Sequence, residues 1–214
     1  MKKGIFSIEE FVTLQKVHIE KASVYDGFLY FVNILTHKIK YHQSITVIMQ
    51  VILRQLEDCT MRRADPSDLI PIMEINLKTL PEHYSDYFYE SLLLEVPEAF
   101  IVAEVNGKIV GYVMCKTEYG FSNFKKLGFV KKGHVVSIAV LEEFRNKGIG
   151  RVLVEESIKG IILKKCDEFY LEVRCSNTEA VRLYEKLRFV IKQQLNVYYR
   201  DGEDAFLMAI ELGK

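Results

Sequence analysis

The sequence predicts an α/β fold with a mixed β-sheet from about residue 58 onward. From Thr60 the hydrophobic pattern reads strand, two helices, hairpin, strand, helix, strand, helix and two strands. Asn106-Gly107 lies between two apolar runs and predicts an antiparallel hairpin, because both residue types tolerate positive φ. The nearly continuous apolar run at 134–140 indicates a strand that is covered on both faces.

The first elements follow from local signals in chain order. Residues 61–64 form the first predicted strand. Asp65-Pro66 then begins a helical region that ends at Leu80-Pro81, since proline is favoured in the first helical turn and disfavoured inside a helix. The runs at 100–105 and 108–115 are the two strands of the predicted hairpin.

The second half of the region is predicted from the same kinds of signal. A polar, lysine-rich loop is expected at 117–132, and a helix begins at Gly148 after the apolar strand. Residues 169–174 alternate strictly between apolar and polar, so this strand has one polar face. Residues 176–179 read as a capping box that begins another helix. The predicted final strands are 189–195 and 205–212.

Composition excludes several classes of protein. The chain has 214 residues, of which 49% are hydrophobic and 27% charged, as in ordinary globular proteins. Its 29 basic and 29 acidic residues cancel, so no overall basic field attracts nucleic acid or anionic lipid. The cysteines show no Cys-x-x-Cys spacing, no secretory signal precedes them, and no apolar stretch reaches the roughly 20 residues that span a bilayer. We therefore expect a cytoplasmic protein with reduced thiols and with neither nucleic acid nor a membrane as partner.

Residues 1–57 differ in composition from the rest of the chain. They contain no proline, and two short patterns hint at helical faces. His37 and His42 are five positions apart, and no cysteine or paired carboxylate completes a ligand set, so no metal is expected. We expect an N-terminal extension of uncertain structure at 1–57, dispensable for catalysis over residues 1–48, before a domain at 58–214. The apolar content of the extension favours the opposite outcome, docking on the domain or on a partner.

The most informative segment follows the apolar strand and begins the next helix. In Arg145-Asn146-Lys147-Gly148-Ile149-Gly150, the glycines let phosphate oxygens approach the backbone N–H groups at the helix N-terminus. Arg145 and Lys147 add cationic donors. The pattern indicates a pyrophosphate cradle, and the simpler alternative is a glycine-containing turn with solvated basic residues.

This segment, with 137–140 before it, resembles the acetyl-CoA signature Arg/Gln-x-x-Gly-x-Gly/Ala of the Gcn5-related N-acetyltransferase (GNAT) superfamily. Further segments resemble the protein N-terminal acetyltransferases of the Ard1/RimI type, which is the type of the NatA catalytic subunit, and especially the archaeal ones. These segments are 80–84, 134–140, 171–174, 176–185 and 198–205. The resemblance covers about residues 58–212.

The resemblance implies a GNAT fold, which is a mixed, mostly antiparallel twisted sheet with helices on both faces and two splayed central strands. It also implies acetyl-CoA as cosubstrate, lying between the splayed strands, and no metal. The implied cofactor-binding residues are Ile138, Ala139, Val140, Arg145, Asn146, Lys147, Gly148, Ile149, Gly150, Asn177 and Tyr184.

The resemblance further implies which residues carry the chemistry. Glu172 and His134 match positions that hold a water through which the substrate amine loses its proton, and Tyr184 matches a hydroxyl near the CoA sulfur. Glu82 matches a glutamate that contributes to substrate binding and catalysis. Taken alone, His134 also fits a core histidine, and Glu172 also fits a surface charge paired with Arg174.

The implied peptide-binding residues lie in two segments. A Leu-Pro-Glu turn lines the peptide groove, and His83 stands where asparagine is usual in the family. A pair of tyrosines closes over the first residues of the substrate. The implied substrate-binding residues are Leu80, Pro81, Glu82, Tyr84, Tyr198 and Tyr199.

The predicted function is transfer of the acetyl group of acetyl-CoA to the α-amino group of protein N-termini, with a water-mediated general base and direct attack on the thioester. One alternative is an acetyltransferase for a small-molecule or lysine amine, because the fold does not fix the acceptor. Another is a non-catalytic acyl-CoA-binding module. The expected substrates are protein or peptide N-termini, and the candidate partners are an auxiliary subunit and the ribosome.

Overall fold

The computed structural model describes residues 51–213. This part of the chain contains the helices α1 (Leu69–Thr79), α2 (Asp86–Glu95), α3 (Ile149–Leu163) and α4 (Thr178–Lys186). Its strands are β1 (Ile52–Leu56), β2 (Cys59–Arg63), β3 (Ile101–Val105), β4 (Lys108–Phe121), β5 (Phe129–Val140), β6 (Glu168–Arg174), β7 (Val190–Leu195) and β8 (Ala205–Glu211). Short 3-10 turns lie at Pro66–Asp68, Pro97–Ala99 and Glu142–Phe144.

The strands form one sheet in the order β1-β2-β3-β4-β5-β6-β8-β7. Neighbouring strands run antiparallel except β5 and β6, which run parallel. The two parallel strands pair only where Lys132–His134 faces Glu168–Tyr170, and beyond these residues they separate. The predicted mixed sheet with two splayed central strands is confirmed.

The hydrophobic core lies on both faces of the central strands. Strand β4 is buried at every position from Ile109 to Cys115, as expected when helices cover both faces of a strand. Helix α1 packs against β4 and β5, with Ile72 and Ile75 buried. Helix α3 packs against β3, β4 and β5, with Leu153 and Ile161 buried. These contacts fix β5, which forms one wall of the opening between the splayed strands.

Two predicted local features are confirmed. Asn106 and Gly107 both have positive φ, 48° and 76°, and form the two-residue turn between β3 and β4. The helical region predicted to begin at Asp65-Pro66 does begin there, with a 3-10 turn at Pro66–Asp68. A capping box that was not predicted supports it, since the Asp65 side chain accepts from the Ser67 backbone N–H and the Asp68 side chain from the Asp65 backbone N–H. Both features depend on short-range chemistry and are therefore readable from sequence.

The loop predicted at 117–132 is wrong for most of its length. Strand β4 continues to Phe121 and β5 begins at Phe129, so only residues 122–128 connect them. Opposite charges such as Glu118 and Lys132 face each other across the hairpin. Cross-strand pairs of this kind stabilise a strand pair whose individual residues look loop-like.

Two predicted boundaries need correction. Strand β1 pairs with β2 and belongs to the sheet, although its residues fall in the extension predicted at 1–57. The capping box predicted at 176–179 is absent from this described segment, because the helix begins one residue later. Asn177 is the N-cap, and its side chain accepts a hydrogen bond from the backbone N–H of Ala180. The expectations for residues 1–50, including the two helical faces and the dispensable segment, lie outside the described residues.

Candidate active site

The separation of β5 and β6 opens two cavities of about 390 and 520 Å³. The smaller is bordered by the turn between α1 and α2 and by the loop before β8, and the larger by the N-terminus of α3. The residues that line both cavities are Leu80, Ile138, Asn177, Ala180 and Tyr184. The two cavities therefore adjoin at these shared residues and form one groove.

The larger cavity ends at a group of backbone N–H donors. Helix α3 begins after Gly148, and within the described chain no side chain caps its first turn. The N–H groups of that turn are therefore free to bind an anion, and the helix dipole favours negative charge there. Arg145 donates from Nε to the Val140 carbonyl at 3.0 Å, which holds the preceding loop against β5.

The two glycines of this loop serve different purposes. Gly148 has φ 81°, which side-chain-bearing residues rarely adopt, so it shapes the turn itself. Gly150 has no such φ, and a Cβ there would lie 3.8 Å from Leu183, which is ordinary contact. Gly150 is therefore not needed for packing, and its missing side chain leaves space in the cavity.

A histidine and a glutamate meet behind the smaller cavity. His134 Nε2 lies 2.6 Å from Glu172 Oε2, and each side chain is 14% exposed. Glu172 lines the cavity and His134 does not, so the carboxylate is the group that a substrate in the cavity would meet. His134 Nδ1 is buried and has no hydrogen-bond partner in residues 51–213. The alternative pairing of Glu172 with Arg174 is not what the structure contains.

The imidazole of His134 is held by a stack that sequence reasoning did not find. Its ring lies parallel to the Tyr170 ring, with centroids 4.4 Å apart. The Tyr170 hydroxyl donates to Glu118 at 2.6 Å, and burial together with this carboxylate raises the pKa of Tyr170. Partial burial opposes ionisation of Glu118, but hydrogen bonds from Lys116 and Tyr170 lower its pKa. The stack therefore fixes the plane of the imidazole that faces Glu172.

Arg174 organises the mouth of the smaller cavity. It bonds Glu82 at 3.0 Å, Asp201 at 2.7 Å and Glu203 at 2.8 Å. Its guanidinium also lies 3.9 Å from the centre of the Tyr199 ring. Desolvation acts against the charge, but the three carboxylates raise the pKa of Arg174. Hydrogen bonds from Ser176 and Arg174 lower the pKa of Glu203 to about 2.

Arg174 was not predicted as a site residue, although one signal pointed towards it. It lies on the same polar face of β6 as Glu172, and this face was evident from the strict alternation of the strand. Its partners Asp201 and Glu203 are in a distant loop, so no local pattern reveals them. The arginine connects that loop to the turn that carries Glu82.

Tyrosines close the smaller cavity on two sides. The Tyr84 hydroxyl donates to the Val136 carbonyl at 3.1 Å, and Tyr198 and Tyr199 lie edge to face in the loop before β8. Burial, with Glu172 nearby, raises the pKa of Tyr198 to about 12. Burial raises the pKa of Tyr184 to about 12 as well, so its hydroxyl keeps its proton at neutral pH.

Nearly all residues predicted for the site line the groove. The exceptions are His134, which lies behind Glu172, and Lys147, whose Nζ lies over the Phe144 ring and which lines a separate small cavity. Asn177 lines both parts of the groove while its side-chain oxygen caps α4, so its amide N–H remains the group available to a ligand. The structure thus brings together segments that are far apart in the chain.

Two further findings concern other kinds of site. Residues 51–213 contain no group of three or more His, Cys, Asp or Glu side chains that could hold a metal ion. Within the same span, the helices are too short or too polar to cross a bilayer.

The groove geometry can be compared with known proteins. The sequence model of the acetyltransferase (GNAT) family matches residues 69–189. A relative named N-alpha-acetyltransferase, from Saccharolobus solfataricus, is 52% identical over 154 residues, which are 71% of this chain and 92% of that protein.

Solved structures are similar over the same region. The NatC complex bound to Gag peptide and CoA matches with a TM-score of 0.66 and 26% identity, covering 73% of this chain and 99% of that chain. Chaetomium thermophilum Naa20 in complex with a bisubstrate analogue matches with a TM-score of 0.62 and 30% identity, covering 72% of this chain and 86% of that chain.

Proposed function

The chain belongs to the acetyltransferase (GNAT) family, and we propose that its groove transfers the acetyl group of acetyl-CoA to the α-amino group of protein N-termini. One observation carries the proposal. An uncapped helix N-terminus and the carboxylate of a carboxylate–imidazole pair line one groove, whose two parts meet at Tyr184 and Ile138. A thioester held from one side and an amine held from the other would meet at that point.

The larger cavity fits acetyl-CoA. The uncapped first turn of α3 suits a pyrophosphate, and a Cβ at Gly150 would occupy space in this cavity. Beyond His134, the edge of β5 that faces β6 pairs with no strand of residues 51–213, so backbone groups on this edge can bond amides of an extended ligand. Acetyl-CoA supplies the acetyl group as an activated thioester. Gly148–Arg151, Ile138–Val140 and Asn177 are the residues that would hold it.

Glu172 is the residue best placed to take the proton of the amine. An α-amino group has a pKa of about 8, so most of it is ammonium at neutral pH and cannot attack a thioester. Glu172 lines the cavity, and its Oε2 lies 2.6 Å from Nε2 of His134. The imidazole of His134 is in turn stacked on the Tyr170 ring. We assign to this pair the removal of the proton through a water in the cavity.

Tyr184 suits the departure of the thiolate. Its pKa of about 12 means that the hydroxyl is protonated at neutral pH and can donate beside the leaving sulfur. It lines both cavities, which is the position that such a donor needs. Tyr184 is therefore proposed as the group that assists the leaving thiolate.

The mouth of the smaller cavity supports a peptide N-terminus as acceptor. Glu82 and Glu172 place carboxylates along it, which favour a cationic ammonium group. Pro81, Tyr84, Tyr198 and Tyr199 add apolar and hydroxyl-bearing walls from both sides, which suit the first residues of a peptide. A lysine or small-molecule amine is the competing acceptor, since the same carboxylates would attract it.

Two further expectations belong to this proposal. We propose a cytoplasmic location, supported by cysteines that are free and mostly buried in the described part of the chain. An auxiliary subunit is proposed as a partner because the NatC relative is a complex that binds peptide. Association with the ribosome stays a prediction.

The test is turnover of a peptide panel by the full chain with acetyl-CoA. The panel varies the first two residues, and each peptide has a twin with a blocked α-amino group. Mass spectrometry should locate the new acetyl group on the α-amine of the free peptides and find none on the blocked twins. Acetyl-CoA binding without turnover of any amine would instead identify a non-catalytic acyl-CoA-binding module.

A further inference from the structure

The turn between α1 and α2 places Glu82 in the groove without backbone hydrogen bonds of its own. Within the described chain, residues 81–84 make no backbone–backbone hydrogen bond in this turn. Leu80 N–H, just before them, donates to the Asn76 carbonyl at 2.9 Å. The position of Glu82 must therefore depend on side chains.

A chain of side-chain hydrogen bonds connects this turn to the sheet. Asn76 Nδ2 donates to the Tyr112 hydroxyl at 3.0 Å, and that hydroxyl lies 2.7 Å from Ser137 Oγ. Asn76 Oδ1 lies 3.1 Å from Nδ1 of His83. Asn76, Tyr112 and Ser137 are 1%, 0% and 6% exposed, so water does not compete for the two bonds among these three residues. We call this chain from His83 to Ser137 the relay.

The amide of Asn76 determines which nitrogen of His83 donates. Asn76 Nδ2 donates to the Tyr112 hydroxyl, so the atom of Asn76 that faces His83 is the acceptor Oδ1. His83 must therefore donate to it from an Nδ1 that carries a proton. The Tyr112 hydroxyl accepts from Asn76, and in its bond with Ser137 Oγ either oxygen can be the donor. Each buried polar atom of the relay thus has the partner that it needs, and breaking one link leaves another group unsatisfied.

Asn76 forms hydrogen bonds with both ends of the turn. Its backbone carbonyl holds Leu80, and its side chain holds His83, while Glu82 lies between them. His83 itself lines neither cavity of the groove, although Glu82 and Tyr84 on either side of it do. The imidazole faces the relay and has no direct part in the groove.

We infer that His83 and Asn76 are positioning residues. They hold Glu82 at the mouth of the smaller cavity by connecting its turn through Tyr112 to β5. This inference rests on the proposed function, since the peptide is the substrate that Glu82 would meet. Three contacts hold Glu82 and the two residues after it. Arg174 bonds the Glu82 carboxylate, the His83 side chain bonds Asn76 of the relay, and the Tyr84 hydroxyl bonds the Val136 carbonyl.

The kinetic test uses His83→Ala, since His83 is exposed and the variant should fold. We expect the KM for peptide to rise about 3- to 10-fold, as for loss of one hydrogen bond, while the KM for acetyl-CoA stays within about twofold. His83→Asn keeps an N–H donor and should recover most of the loss. Ser85→Ala is the matched control, because Ser85 is exposed in the same turn and its side chain makes no cap hydrogen bond in the described structure.

A peptide KM that is the same for His83→Ala and for wild type would overturn the inference, and so would an equal rise in Ser85→Ala. A second measurement needs no substrate. Long-range proton–nitrogen NMR of the full chain should show the His83 ring protonated on Nδ1, and Asn76→Ala should release this tautomer. If wild type acetylates no N-terminal peptide, the proposed function fails, and this spectrum alone decides the relay. An identical His83 ring in wild type and Asn76→Ala would refute it.

Discussion

The larger cavity, which we call the cofactor half of the groove, is lined mainly by one continuous stretch, residues 138–150. The smaller cavity, which we call the peptide half, is lined by four separate segments of the chain. The cofactor half presents backbone N–H groups at the start of α3, and within the described chain no side chain caps them. The peptide half is held by side chains, above all Arg174 with its three carboxylates. A binding site made of backbone groups needs small residues at a fixed spacing, so it is visible in the sequence as a motif. A binding site held by side chains depends on tertiary contacts, which leave no such motif.

The comparison predicts that changes in the two halves separate in kinetics. Variants in the cofactor half should raise the KM for acetyl-CoA, and variants in the peptide half should raise the KM for peptide. Variants at the junction should lower kcat. The predictions below run from the largest expected effect to the smallest.

Glu172→Gln should have the largest effect, because it removes the carboxylate that takes the proton. We expect kcat to fall about 10- to 1000-fold at neutral pH, with recovery at high pH as the amine deprotonates unaided. His134→Ala should cost less, since His134 does not line the cavity. The check is a pH–rate profile of both variants and of the double variant. Full activity of the double variant at neutral pH would exclude the shared-base assignment.

Gly150→Val should impair only the cofactor half. A Cβ at Gly150 would make only ordinary contact with Leu183, so we expect the fold to persist while the phosphates lose access to the amides. We expect the KM for acetyl-CoA to rise on the order of 10- to 100-fold, since hydrogen bonds to charged groups are lost. Gly148→Val should add backbone strain to this effect because of its positive φ. An unchanged KM for acetyl-CoA in both variants would refute the cradle.

Arg174→Met should impair only the peptide half. It frees Glu82, Asp201 and Glu203 from their common partner, so the mouth loses its shape and gains uncompensated negative charge. We expect kcat/KM for peptide to fall about 10-fold, with little change in the KM for acetyl-CoA. Arg174→Lys should recover only part, because an ammonium cannot serve three carboxylates as a planar guanidinium does. Equal effects on both substrates would contradict the separation of the halves.

The smallest effect concerns stability in acid. Glu203 has a folded-state pKa of about 2, below the value of about 4.3 in an unfolded chain, so its contribution is present above pH 4.3 and is lost as pH falls towards 2. Glu203→Gln should therefore lower Tm at neutral pH, and the difference from wild type should shrink below pH 4.3. Thermal melts of both proteins from pH 7 to pH 2.5 measure it. A difference that stays constant over this range would show that Glu203 does not couple to folding.

The same contrast explains how much of the molecule could be predicted from sequence. The hairpin at Asn106-Gly107, the helix start at Gly148 and the polar face of β6 depend on neighbouring residues, and the structure contains all three. The continuation of β4 and β5 was missed because its support is cross-strand pairing, as between Glu118 and Lys132. The depth of His134 behind Glu172 was missed because burial is a property of the folded chain.

The residues that support the site were missed for the same reason. Tyr170 and Glu118, which hold the imidazole, are on different strands and 52 positions apart. Arg174 and Glu82 are 92 positions apart. Supporting contacts of this range follow from topology, and a single sequence offers no local pattern for them.

The central claim is that the groove acetylates the α-amino group at a protein N-terminus. The most direct test is one peptide that carries both a free α-amine and an internal lysine, incubated with the full chain and acetyl-CoA. Tandem mass spectrometry should locate the acetyl group on the α-amine, and Glu172→Gln should form the same product far more slowly. Acetylation of the lysine instead, or of both amines at equal rates, would contradict the claim.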